Sequence, residues 1–78
     1  MRKYACVMDA STKHLQLGRA IKRERTKRKL SQDDLAKMAG TTQTVISRIE
    51  TASQDPHVGT LFKIADALDV PVSEFFSF

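Results

Sequence analysis

The chain has 78 residues, of which 41% are hydrophobic, so it makes one small domain with a modest core and is not disordered as a whole. Its one cysteine, Cys6, excludes a disulfide within the chain and a zinc site built from cysteines. No uncharged run approaches the roughly 18 apolar residues that a membrane span needs, and the first residues lack the apolar segment of a secretory signal. We therefore expect a cytoplasmic protein without membrane contact, located on the nucleoid if it binds DNA.

The net charge is +4, and the charges are separated along the sequence. Seven cations fall within eleven residues of the first half: Arg19, Lys22, Arg23, Arg25, Lys27, Arg28 and Lys29. The segment 55–78 carries four acidic residues against one lysine. Two interpretations of this asymmetry are about equally favoured. The basic segment either contacts phosphate groups or is an ordinary helix face exposed to water.

Residues 1–12 are expected to form an N-terminal tail, and we favour a frayed one. A short strand is the alternative, since Tyr4, Cys6 and Met8 alternate weakly with their neighbours. An ordered strand would need a partner molecule, because the chain offers no second strand to pair with it. The remaining residues, 13–78, are expected to form the domain.

A helical pattern begins at Ser11. Leu17, Ile21 and the stem of Arg25 repeat at a spacing of four residues, which predicts one buried face with basic residues around the rest of the helix. Leu30 closes this segment.

Capping signals mark the next two helices. Ser31 and Asp34 have the spacing of a capping box, which predicts a helix from Gln32 to about Ala39 that ends at Gly40. Thr42 is suited to cap a third helix from Gln43 to about Thr51. The first of these helices is expected to turn Leu35, Ala36 and Met38 partly inward. The second is expected to bury Val45, Ile46 and Ile49.

Two further helices are expected after a polar loop. The first, Val58 to Leu68, would bury Leu61, Ile64, Ala65 and Leu68. A short fifth helix would start at Pro71, which suits a first turn, and end in Phe75 and Phe76. The sequence therefore predicts an all-α, five-helix bundle.

Residues 32–51 have the character of a helix-turn-helix, in which the second helix enters the major groove of DNA with its N-terminal residues against the bases. The outer face of the third helix offers Gln43, Thr44 and Arg48, which are predicted to contact bases, since glutamine pairs with adenine and arginine with guanine. The residues predicted to contact phosphates are Gln32, Thr42, Ser47 and Lys27. Gln32 is also placed to brace Gln43.

The segments Leu30–Gly40, LSQDDLAKMAG, and 41–50, TTQTVISRIE, resemble the phage repressor and Cro-like helix-turn-helix family of the xenobiotic-response-element type. Residues 61–70 resemble the fourth helix of that family, and the resemblance covers roughly residues 17–76. It implies a lambda-repressor-like fold of five helices that binds operator DNA, commonly as a two-fold dimer.

The resemblance also implies a structural ion pair between Arg25 on the first helix and Glu50 at the end of the third. This agrees with the buried position of Arg25, where an unpaired charge would be costly. The family usually has glycine where this chain has Lys29 and Ala52, so we expect changed geometry in both loops, and with it changed phosphate contacts around Ser53 and Gln54.

The function expected from these residues is a sequence-specific DNA-binding regulator, a repressor that binds a palindromic operator as a dimer. The alternative is an antitoxin that neutralises a toxin and represses its own promoter. No enzyme, cofactor or metal site is expected, because no nucleophile elbow, phosphate loop or ligand cluster is present. The candidate dimer interface is the apolar C-terminal end: Val70, Val72, Phe75, Phe76 and Phe78.

Overall fold

The computed structural model describes residues 10–76. Its elements are four α-helices, α1 (Ala10–Lys27), α2 (Gln32–Ala39), α3 (Gln43–Glu50) and α4 (Val58–Leu68), and a 3-10 helix (Val72–Phe76). Within this described part the protein is all-helical, as predicted from the sequence. The predicted tail 1–12 lies largely outside the described residues, although α1 begins at Ala10.

The predicted fifth α-helix is a 3-10 helix, so the count of five α-helices is not confirmed. The element has only five residues, and 3-10 helices are common in pieces of about this length. Its position is determined by Phe75, whose side chain is completely buried in the core.

Local caps set the boundaries of α2 and α3. The Ser31 hydroxyl accepts a hydrogen bond from the Asp34 N–H at 2.9 Å, and the Asp34 carboxylate accepts one from the Ser31 N–H at 3.1 Å. Gly40 ends α2 in the left-handed conformation, with φ of 70°. The Thr42 hydroxyl then accepts from the Val45 N–H at 3.3 Å and starts α3. The short turn between the two caps produces the helix-turn-helix.

The core lies where the helices meet, and its composition is close to the predicted one. Its buried hydrophobic residues are Leu17, Ala20, Ile21, Leu35, Ala36, Ala39, Ile46, Ile49, Leu61, Ile64, Ala65, Leu68 and Phe75. Met38, which the sequence pattern places partly inward, is 54% exposed. Leu35, Ala36 and Ala39 form the buried stripe of α2, and the helical period turns residue 38 away from that stripe.

In two loops this chain has another residue where the family usually has glycine, and both loops keep the backbone conformation that glycine favours. Lys29 has φ of 57° and Ala52 has φ of 61°, both in the left-handed region that residues with a Cβ rarely adopt. The expected change of loop geometry is therefore not seen at these residues. The side chains are instead accommodated at a conformational cost.

Candidate nucleic-acid interface

The two faces of α3 differ in their surroundings. Ile46 and Ile49 are buried, with exposed fractions of 0% and 2%, and hold the helix against the core. Gln43, Thr44 and Arg48, the residues predicted to contact bases, are all exposed. A helix anchored in this way presents these three side chains to whatever lies outside the protein.

Arg25 and Glu50 connect α1 to the end of α3. The Arg25 guanidinium donates two hydrogen bonds to the Glu50 carboxylate, from Nε to Oε2 at 2.8 Å and from Nη2 to Oε1 at 3.1 Å. It also donates from Nη1 to the Leu30 carbonyl oxygen at 2.7 Å. The Glu50 hydrogen bonds raise the pKa of Arg25, against the opposing effect of burial. The structure thus brings together the two residues that the family resemblance pairs.

The hydrogen bonds continue from Glu50 to the exposed start of α3. Gln32 Nε2 donates to Glu50 Oε1 at 3.0 Å, and Gln43 Nε2 donates to Gln32 Oε1 at 3.0 Å. A single network therefore runs from a buried ion pair to the first side chain of α3. It makes Gln32 a brace for Gln43, which is one of the two roles expected for it.

The other polar residues of this surface retain free hydrogen-bonding capacity. Thr42 uses its hydroxyl oxygen as an acceptor in the cap, so its O–H remains a donor. Ser47 is half-buried, and its carbonyl oxygen accepts from the Thr51 hydroxyl at 3.0 Å. Arg48 is exposed and has no side-chain hydrogen bond or ion pair to any residue between 10 and 76.

Lys27 belongs to a different cluster, which surrounds Glu24 on α1. Glu24 is buried, and its Oε1 accepts from Arg28 Nη1 at 2.9 Å. The Lys27 Nζ and Arg23 Nε lie 3.6 Å from its Oε2. The hydrogen bond from Arg28, with the charges of its neighbours, lowers the pKa of Glu24 although burial opposes this. Lys27 is therefore exposed but separate from the Arg25–Glu50 network.

The role of Glu24 was not predicted from the sequence. The signal was available, because a glutamate followed by basic residues three and four positions later lies beside both of them on a helix. The sequence could not show that the Glu24 carboxylate is buried and that three basic side chains lie within 4 Å of it.

Other candidate sites in the described residues offer little chemistry. His14 Nδ1 lies 3.2 Å from the Asp55 carboxylate, on the loop after α3. Between residues 10 and 76 there is no group of three histidine, cysteine or acidic side chains that could hold a metal ion. None of the helices in that range combines the length and apolar character needed to cross a bilayer.

The HTH_3 helix-turn-helix family model matches residues 21–75, which include α2, α3, α4 and all but the last residue of the 3-10 helix. The chain belongs to this helix-turn-helix family. This family is the Cro-like, xenobiotic-response-element type to which the sequence resemblance also pointed, and a transcriptional regulator of the HTH_3 family is among the similar solved structures. No curated protein matches the chain.

Solved structures of helix-turn-helix regulators are similar to this chain over most of its length. The restriction-modification controller protein C.AhdI from Aeromonas hydrophila is 27% identical, with a TM-score of 0.79 over 81% of this chain and 96% of that one. The P22 c2 repressor, solved in complex with a synthetic operator, is 29% identical, with a TM-score of 0.71 over 76% and 89%. An HTH_3 family transcriptional regulator from Vibrio cholerae is 31% identical, with a TM-score of 0.81, over 86% of this chain but 38% of that one.

Proposed function

We propose that this protein is a transcription repressor that binds a palindromic operator as a dimer and reads it with α3 in the major groove. The observation that carries the proposal is the division of α3 into two faces. Gln43, Thr44 and Arg48 are exposed together, while Ile46 and Ile49 anchor the opposite face in the core. An α-helix with such a face fits the width of the major groove.

The free atoms of Gln43 match the edge of an adenine. A glutamine amide has two N–H donors and one carbonyl oxygen, and Gln43 uses one donor on Gln32. The remaining N–H and the carbonyl oxygen can bind N7 and N6 of adenine in the bidentate arrangement. The brace from Gln32 orients the amide before DNA arrives, so less conformational entropy is lost on binding.

Arg48 lies farther along the same face, and its guanidinium is not engaged by any described residue. Arginine donates two parallel hydrogen bonds to O6 and N7 of guanine, the commonest specific contact in the major groove. Thr44, at the second position of α3, is suited to a base edge or a thymine methyl group. These three residues are our proposed base contacts.

Phosphate contacts would fix the protein on the duplex. The free O–H of Thr42 and the spare N–H of Gln32 both lie at the start of a helix, where the positive end of the helix dipole favours an anion. Ser47 and Lys27 are proposed to contact phosphates from α3 and α1. Such contacts position the protein without reading sequence.

The comparisons support repression and control of transcription as the type of activity. The P22 c2 repressor was solved on operator DNA, and C.AhdI is a controller protein whose chain is covered almost completely by this one. The antitoxin alternative stays a prediction; purification from the native host with a stoichiometric partner would support it.

We propose that the protein dimerises through its C-terminal end, but through fewer residues than the interface predicted from the sequence. Phe75 is completely buried in its own domain and is not available to a partner. Phe76 is 49% exposed, and Val72 is half-buried. Phe78 lies outside the described residues. We expect Phe76→Asp to give monomers in sedimentation velocity without unfolding; a dimer that persists would place the interface elsewhere.

Selection of duplexes from a random library tests the proposed function. We expect enriched sites with two inverted half-sites whose centres lie about one helical turn apart, as two-fold dimers of this motif require. Enrichment of single half-sites would contradict the dimer. No enrichment over scrambled competitor at moderate salt would contradict sequence-specific binding altogether.

A further inference from the structure

Gly18 lies where α1 crosses the end of α3. A Cβ built at Gly18 would be 2.5 Å from the Ile49 carbonyl oxygen and 2.7 Å from the Glu50 carbonyl oxygen, whereas real Cβ atoms essentially never come within 3.0 Å of such neighbours. A Cβ at either of the other two glycines, Gly40 and Gly59, would meet nothing within 4 Å. The close approach of two backbones is therefore specific to Gly18.

The atoms that a side chain at Gly18 would strike belong to backbone, which cannot rotate away. The last turn of α3 would have to move by at least about half an ångström, or α1 would have to move from the core. Glu50 is part of that turn, and its Oε1 accepts the hydrogen bond from Gln32 at 3.0 Å. A shift of Glu50 therefore acts on the side chain that braces Gln43.

We infer that Gly18 is a positioning residue for DNA recognition: the absence of its side chain sets the depth at which α3 packs on α1, and through Glu50 and Gln32 it sets the orientation of Gln43. Gly18 itself touches no base or phosphate in this scheme. The inference rests on the proposed function, because it concerns the alignment of the helix that we propose to read DNA.

Gly18→Ala is the test, measured as the ratio of affinities for a selected operator and for random duplex. We expect the ratio to fall about tenfold or more, which is the discrimination that one good bidentate base contact supplies. Nonspecific affinity should fall less than operator affinity, since it depends on the sum of several phosphate contacts, including that of Lys27 on α1, and not on the orientation of Gln43. An unchanged ratio in a folded variant would overturn the inference.

Two control variants separate positioning from stability. Ile64→Val removes a methylene from a completely buried side chain on α4 and lowers stability without changing any atom of the backbone contact between Gly18 and the end of α3, so its affinity ratio should equal that of the unmodified protein. Gly59→Ala makes the same chemical change in a helix where the new methyl group meets nothing, so it should not lower the midpoint of unfolding. A ratio that falls equally in Ile64→Val would show that loss of stability is the cause.

A second measurement needs no DNA and therefore separates this inference from the proposed function. In NMR spectra of the free protein, Gly18→Ala should shift the side-chain amide resonances of Gln32 and Gln43, while Ile64→Val should leave them in place. Unshifted resonances would overturn the inference even if DNA is bound. If Gly18→Ala does not fold, the measurement is repeated with trimethylamine N-oxide, which favours the compact state; a variant unfolded there too would show that Gly18 supports the whole fold and does not act on α3 alone.

Discussion

Gln43 donates a hydrogen bond to Gln32 at 3.0 Å across the turn between α2 and α3. Gln32 in turn donates to Glu50, which is held by Arg25 in a buried ion pair. The side chain at the exposed start of α3 is thus connected to the interior of the protein. Changes at the buried end of this network should alter both stability and DNA recognition.

Glu50→Ala is expected to lower the free energy of unfolding by about 3 kcal/mol, because it leaves the Arg25 charge buried without its partner. The side chains of the pair are 13% and 3% exposed. Urea denaturation gives the measurement. Asp33→Ala is the matched control, since Asp33 pairs with Lys37 at 3.1 Å on the surface, and its loss should be close to the experimental error. Equal losses in the two variants would contradict the importance of burial.

Lys29→Gly and Ala52→Gly should each raise the free energy of unfolding by about 0.5 kcal/mol. Relief of the left-handed strain contributes roughly 1–2 kcal/mol, and the greater freedom of glycine in the unfolded chain offsets part of it. Gly40→Ala should instead lower stability by about 1 kcal/mol, because Gly40 has φ of 70° although a methyl group there would meet no atom. If Lys29→Gly or Ala52→Gly lowers the free energy of unfolding, the side chain removed makes contacts that outweigh the strain of the left-handed backbone.

Helix boundaries were predictable wherever residues close together in the sequence form the cap. The capping box at Ser31, the glycine at position 40 and the cap at Thr42 act over three or four residues, so the predicted starts and ends of α2 and α3 agree with the structure to within a residue. The type of the last helix was not predictable in this way, because Pro71 marks where it starts but no local signal distinguishes an α-helix from a 3-10 helix over five residues.

The arrangement of the site was only partly predictable. Hydrophobic spacing in α3 predicted that Ile46 and Ile49 are buried and therefore which residues face outward. The continuous network through Gln32 depends on the distance between the starts of α2 and α3, which is a tertiary property. The contact at Gly18 joins residues more than thirty positions apart, so no local pattern could show it.

Stability should fall in acid partly through Glu24 and Asp34. Both carboxyl groups have a pKa lowered from the ordinary values of 4.5 and 3.8, Glu24 mainly by its hydrogen bond from Arg28 and Asp34 mainly by that from the Ser31 backbone N–H. A carboxyl group with a lowered pKa stabilises the fold above its ordinary pKa, and this stabilisation is lost as the pH falls through the folded value. Urea midpoints measured from pH 6 to pH 3 should therefore fall less steeply for Glu24→Gln and Asp34→Asn. A slope as steep as that of the unmodified protein would contradict the assignment.

Lys27→Ala should reduce the salt dependence of DNA binding by about one unit in the slope of log K against log salt, if Lys27 neutralises one phosphate. Base preference should be unaffected, because phosphate contacts carry no sequence information. Binding is measured by fluorescence anisotropy at several salt concentrations. Lys63→Ala, on the acidic C-terminal half of the chain, is the matched control. If the Lys27 slope equals that of the control, Lys27 does not contact DNA.

Methylation interference at guanine N7 tests the reading of DNA by α3 most directly, because that atom lies in the major groove where Arg48 is proposed to bind. With the selected operator, methylation of one guanine in each half-site should block the unmodified protein. Arg48→Ala should bind the operator about 1–3 kcal/mol more weakly and lose its sensitivity to that methyl group. Interference at the same guanines in both proteins, or no interference in the major groove at all, would contradict the proposal that α3 reads the bases.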